Sequence, residues 1–130
     1  MTTHPAHILV VDDDDMIQTM LKRCLELAGY RVSQASNGRQ AVARLEDDRP
    51  DIIILDLFMP EMDGFETLRK VNTCPSRARV LAISGGGSSA HCDFLGMASH
   101  FGADGVLKKP FTAAELVAAI DMLLPATSAH

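Results

Sequence analysis

Asp56 closes the apolar run Ile52-Ile53-Ile54-Leu55. A carboxylate in that place sits at the mouth of a buried sheet rather than on an ordinary surface. Ile8-Leu9-Val10-Val11 ends the same way, in Asp12-Asp13. Val80-Leu81-Ala82-Ile83 ends in Ser84, and Gly105-Val106-Leu107-Lys108 ends in Lys109-Pro110. Four apolar strands thus each bring one or two polar groups to their carboxyl ends. Three acids, a hydroxyl and an amine collected there suit a metal-dependent site that accepts a phosphoryl group. Carboxylates converging from two strand ends repel each other and cannot all ionise cheaply without a cation. Oxygen-only ligands with room for water favour Mg²⁺ over zinc.

The elements that must position these groups are legible as a pattern. Short runs rich in Ile, Val and Leu alternate with helical periodicity, which predicts βα units around a parallel sheet. Strands are expected near 7–11, 31–35, 51–56, 79–83 and 105–108. Arg31-Val32-Ser33-Gln34-Ala35 is the least apolar and reads as an edge strand. The first helix begins around Asp14, with Ile17, Met20, Leu21, Cys24, Leu25 and Ala28 on its inward face. Gly29 is placed to cap its end. A second helix over 38–47 turns Ala41, Val42 and Leu45 inward, and a third from Gly64 buries Phe65, Leu68 and Val71. A fourth covers 90–101, with Phe94, Leu95, Ala98 and Phe101 as its apolar set and Gly102 as its stop. The last opens on the capping box Thr112-Ala113-Ala114-Glu115, continues through Leu116, Ala119, Ile120 and Leu123, and ends at Pro125. Five strands and five helices in alternation make a doubly wound α/β domain, with its site where the strand order reverses.

Bulk properties narrow the class. The 130 residues and 47% hydrophobic content suit one packed domain over 7–124, flanked by tails at 1–6 and 125–130, with no output domain expected. The net charge of −5 comes with no long basic run, which argues against nucleic-acid binding. No apolar segment approaches a membrane span, and no secretory leader is visible at the amino terminus. Cys24, Cys74 and Cys92 are scattered and form no C-x-x-C pair, as expected of reduced thiols in the cytoplasm. The five histidines show no metal-binding spacing.

Five segments in order, "VVDDD", "PDIIILDLFMPEMDGFE", "ISGGG", "GAD" and "KKPF", closely resemble the receiver domain of bacterial response regulators, from Ile8 to about Leu124. The resemblance implies a flavodoxin-like, five-stranded parallel sheet of order 2-1-3-4-5. It implies Asp56 as the phosphoacceptor, with Asp13 and Asp56 as direct Mg²⁺ ligands. Asp12 lies near the ion or holds a coordinated water, and the Phe58 backbone carbonyl completes the set. Lys109 and Ser84 would bind the phosphoryl oxygens. The implied donor is a phosphohistidine on a sensor histidine kinase or a histidine phosphotransfer protein, and the implied readout is a separate downstream protein. The likeness also makes Lys109-Pro110 a cis bond. Pro60 and Gly64 take structural roles in the loop after Asp56, and Pro110 takes one after Lys109. Lys108 is expected to face solvent by strand alternation, and Asp14 and Asp15 to serve the helix start.

Val106 departs from the pattern, because many receivers carry a switch Tyr or Phe there. Valine cannot swing a ring, so switching is expected to run through Ser84, the Gly85-Gly86-Gly87 loop and the helix after it. A docking surface is expected on the helices over 90–101 and 112–124 and the strand between them. Two other classes compete. A Mg²⁺-dependent aspartyl phosphohydrolase needs a second acid two residues past Asp56, where Phe58 stands. A phosphorylation-independent scaffold of the same shape has no use for the complete acid-Ser-Lys set.

Overall fold

The computed structural model describes residues 6–56, 64–73, 78–84 and 102–124. Within them the chain runs β1 (His7–Val11), α1 (Asp15–Leu27), β2 (Arg31–Ala35), α2 (Gly38–Asp48) and β3 (Ile52–Asp56). It continues through α3 (Gly64–Thr73), β4 (Arg79–Ser84), β5 (Gly105–Lys108) and α4 (Ala113–Leu123). All five strands lie parallel in one sheet of order β2-β1-β3-β4-β5, as expected, with β2 on an edge. The helix expected over 90–101, with Phe94, Leu95, Ala98 and Phe101, lies outside the described residues.

Strand alternation divides the core into two layers. Leu9, Val11, Ile53, Leu55, Val80 and Ala82 pack with Ala41 and Leu45 of α2 and Leu68 and Val71 of α3. Ile8, Val10, Ile52, Ile54, Leu81 and Ile83 pack with Leu21 and Leu25 of α1 and Leu116 and Ile120 of α4. Because both faces are covered, β1 and β3 read as unbroken apolar runs instead of alternating ones.

The termini of the helices follow their capping chemistry. The Asp14 carboxylate accepts from the amides of Met16 and Ile17 at 2.9 and 3.4 Å, which assigns this acid to the start of α1. Thr112 and Glu115 form the expected reciprocal capping box on α4. Gly29 follows α1 with φ +99°. The space a Cβ would take there is open, so a side chain costs conformational energy alone. Gly29→Ala is expected to lower stability by about 1 kcal/mol, read as a lower urea midpoint at unchanged slope.

Two expectations for α1 are corrected. Met20 is 54% exposed and Ala28 is also exposed, although the spacing predicts both on the inward face. The buried line of α1 runs through Gln18, Leu21 and Leu25. Met20 is one residue, or about 100° of helix turn, away from Leu21. Val42 is only half-buried on α2.

Tyr30 packs against the α1–α4 layer. Its hydroxyl donates to the Asp121 carboxylate, tying the turn after α1 to α4. Burial, then the bond to Asp121, pushes the phenol up to about 12. At the entrance of β5, Asp104 accepts from the Val80 amide at 2.8 Å and its own amide donates back to Val80. That reciprocal pair gives the aspartate of the Gly-Ala-Asp segment a structural task, the pinning of β5 to β4.

Candidate functional site

Parity along the strands explains why particular polar groups meet. Ile8 and Val10 face α1 and α4, and the next residue of that parity is Asp12. Ile52 and Ile54 face the same way, and Asp56 continues their row. Leu107 joins the same layer, and Lys109 follows it. Val11 pairs with Leu55, so the register sets Asp12 and Asp56 side by side just beyond the ladder. The sheet reverses its order between β1 and β3, which leaves a crevice at their carboxyl ends.

In that crevice one carboxylate oxygen each of Asp12, Asp13 and Asp56 lie within 4.8 Å of one another. Asp12 and Asp56 are 3% and 7% exposed, whereas Asp13 opens to solvent. Lys109 Nζ stands 3.8 Å from Asp56 Oδ2 and 4.0 Å from Asp12 Oδ2. The Lys109-Pro110 bond is cis. Asp12 Oδ1 accepts from the Asp14 amide at 2.8 Å. Burial is the chief cause that pushes the Asp12 carboxyl up to about 6, opposed by that amide. The Asp56 charge adds to the rise, the Lys109 charge opposes it, and Asp13 adds a smaller rise.

Among the described residues, one amine beside three carboxylates leaves the cluster short of positive charge. The donor set is all oxygen, half buried and half open to water. Such a set fits Mg²⁺, which takes a few carboxylates and keeps several waters. It does not fit a closed zinc site, which draws on sulfur and nitrogen.

Ser84 is the last residue of β4, opposite Lys108 in the register. Gly64 is the first residue of α3. Phe58 and Pro60 lie outside the described residues. Val106 and Lys108 point out of β5, and Val106 is 37% exposed. One residue of the site went unmarked in the sequence. Gln18, on α1, is 6% exposed and reaches the carboxyl ends of β1 and β2. Its only sequence signal was a polar side chain within an otherwise apolar face.

Comparison with known proteins decides the family. The model of the response regulator receiver domain matches residues 8–121. The chain belongs to the response regulator receiver family. The receiver is 37% identical over 124 residues to the response regulator MprA of Mycolicibacterium vanbaalenii, covering 95% of this chain and 52% of that protein. It thus spans about half the length of the curated relatives it matches. Among solved structures, the receiver is similar to the chemotaxis protein CheY4 of Vibrio cholerae, with TM-score 0.82 and 32% identity. That match covers 92% of this chain and 99% of the other. NtrX from Brucella abortus gives TM-score 0.84 and 28% identity, over 96% of this receiver and 28% of that chain. Among the described residues, no helix of the receiver is long and apolar enough to cross a membrane.

Proposed function

We propose that this receiver takes a phosphoryl group onto Asp56 in a Mg²⁺-dependent reaction and changes its surface in response. The arrangement of Asp12, Asp13 and Asp56 within 4.8 Å, with Lys109 Nζ 3.8 Å from Asp56, carries the reading. The donor class is a phosphohistidine on a sensor histidine kinase or histidine phosphotransfer protein. An Asp56 carboxylate oxygen attacks phosphorus, the O–P bond forms, and the P–N bond to the imidazole breaks. Mg²⁺ bound by the acids supplies Lewis-acid neutralisation of phosphoryl charge. Lys109 adds a fixed positive charge on the same side, and Ser84 at the end of β4 is assigned a hydrogen bond to a phosphoryl oxygen. The Phe58 carbonyl is assigned the remaining protein ligand. Positioning and electrostatics are what phosphoryl transfer chiefly requires. The receiver therefore acts as a phosphoacceptor, catalysing only its own loading and the slow hydrolysis of its acyl phosphate.

The readout is assigned to a separate protein that recognises the changed surface, in the cytoplasm. The exposed side of β5, with Val106, is surface available to such a partner. Valine at this place assigns the switch to Ser84 and the segment after it. Structures with and without a phosphoryl mimic test that assignment, and an unchanged 85–101 segment would sink it.

The decisive test is intact-mass analysis after incubation with Mg²⁺ and a small acyl-phosphate donor. One phosphoryl addition, lost when Mg²⁺ is chelated, is the expected result. No addition from either the small donor or purified kinases would move the receiver to the scaffold class. A second measurement probes the lysine. Lys109→Met removes the cation closest to the acids, so Mg²⁺ is expected to bind severalfold more tightly while phosphoryl uptake slows. Calorimetry and the mass time course read the two effects separately.

A further inference from the structure

Gln18 spends both amide protons on the frame of the site. Its Nε2 donates to the carbonyl of Asp12 at 2.5 Å and to the carbonyl of Ala35 at 2.6 Å. Both partners are acceptors, so only the NH₂ end of the side chain can face them. The Ala35 carbonyl also accepts from the Asp12 amide at 3.2 Å. One buried side chain on α1 therefore joins the last carbonyl of edge strand β2 to the first residue beyond β1.

The Asp12 carbonyl belongs to the peptide plane that links Asp12 to Asp13. Fixing its direction fixes the rotation of the backbone from which both acids leave. On the other side of Asp12, the carboxylate is held by the Asp14 amide. The backbone and side chain of Asp12 are thus pinned by separate donors. A side chain needed only for packing at this place would be apolar, like Leu21 and Leu25 on the same buried line.

We infer that Gln18 is a positioning residue for the cation site, setting the Asp12-Asp13 peptide so that the two carboxylates converge on Asp56. The inference rests on the Mg²⁺-dependent reading above and extends it to a residue that touches neither cation nor phosphoryl group. Partners that orient metal ligands typically change affinity 10- to 100-fold when lost.

Gln18→Met keeps the length of the side chain and removes both donors. It is expected to weaken Mg²⁺ binding about tenfold in calorimetry. Phosphoryl uptake should slow at limiting Mg²⁺ and recover at saturating Mg²⁺. Leu25→Val, in the core far along α1, provides a variant destabilised without touching the site. It should lose thermal stability and keep native Mg²⁺ affinity. Gln18→Met binding Mg²⁺ within twofold of the native chain would overturn the inference, as would equal weakening by Leu25→Val. A measurement on the native chain needs no variant. The Gln18 side-chain amide signals of ¹⁵N-labelled protein should shift as Mg²⁺ is added, with the midpoint of the binding curve, and a fixed pair of signals would count against the role. Failure of the native chain to bind Mg²⁺ at all would instead bring down the underlying site reading, which separates the two failures.

Discussion

Asp56→Asn is expected to abolish phosphoryl uptake altogether, at any Mg²⁺ concentration. The amide has no anionic oxygen with which to attack phosphorus, and its geometry otherwise matches the carboxylate. Asp12 and Asp13 are poor substitutes for reasons visible in the site. Asp13 opens to solvent, and Lys109 Nζ lies 3.8 Å from Asp56 against 4.0 Å from Asp12. Replacing Asp12 or Asp13 by Asn should therefore slow uptake by weakening the cation site, and excess Mg²⁺ should restore part of the rate. Excess Mg²⁺ should restore nothing in Asp56→Asn. Intact mass across a Mg²⁺ series separates the classes. A full phosphoryl addition to Asp56→Asn would assign the acceptor to another residue.

Without a cation, Asp12 should make the folded chain less stable as pH rises. Its carboxyl is raised from 3.8 to about 6 on folding, so the folded state holds a proton that the unfolded state releases. Stability linked to this group is fully present below the unfolded value, falls through the interval up to about 6, and is lost above it. The groups facing it are Asp56, Lys109 and Asp13. After discounting for solvent screening on the open side of the cluster, the loss amounts to about 2 kcal/mol. Asp12→Asn removes the titration and keeps an oxygen for the Asp14 amide. The variant should exceed the native apoprotein in stability by that amount at about pH 7.5, with the gap closing by about pH 4. Mg²⁺ should narrow the gap at the higher pH, by stabilising the native chain more than the variant. Urea melts at both pH values, with and without Mg²⁺, check all three statements. A gap independent of pH would remove Asp12 as its source.

Legibility in the sequence followed the number of independent constraints on each residue. Strands β1 and β3 are buried on both faces, so Ile8–Val11 and Ile52–Leu55 could only read as continuous apolar runs, and the acids after them stood out. The site was legible for the same reason, since Asp12, Asp56 and Lys109 continue rows already fixed by their strands. Helix α1 was harder. Its apolar residues outnumber those that its inward face can hold, and Met16, Met20 and Leu27 are left in solvent. The site end of that buried face carries a glutamine, a polar side chain within an otherwise apolar line. Nothing local announces that its amide will meet two carbonyls, one of them 17 residues away. Such a pairing exists only once β1 and β2 are adjacent.

The bond between Tyr30 and Asp121 gives the chain a native optical probe. There is no tryptophan and only one tyrosine, so all tyrosine emission comes from a single ring at the seam between α1 and α4. Any event that parts those two helices, whether thermal melting, a docking partner or phosphoryl loading, breaks that phenol's carboxylate contact and changes its emission.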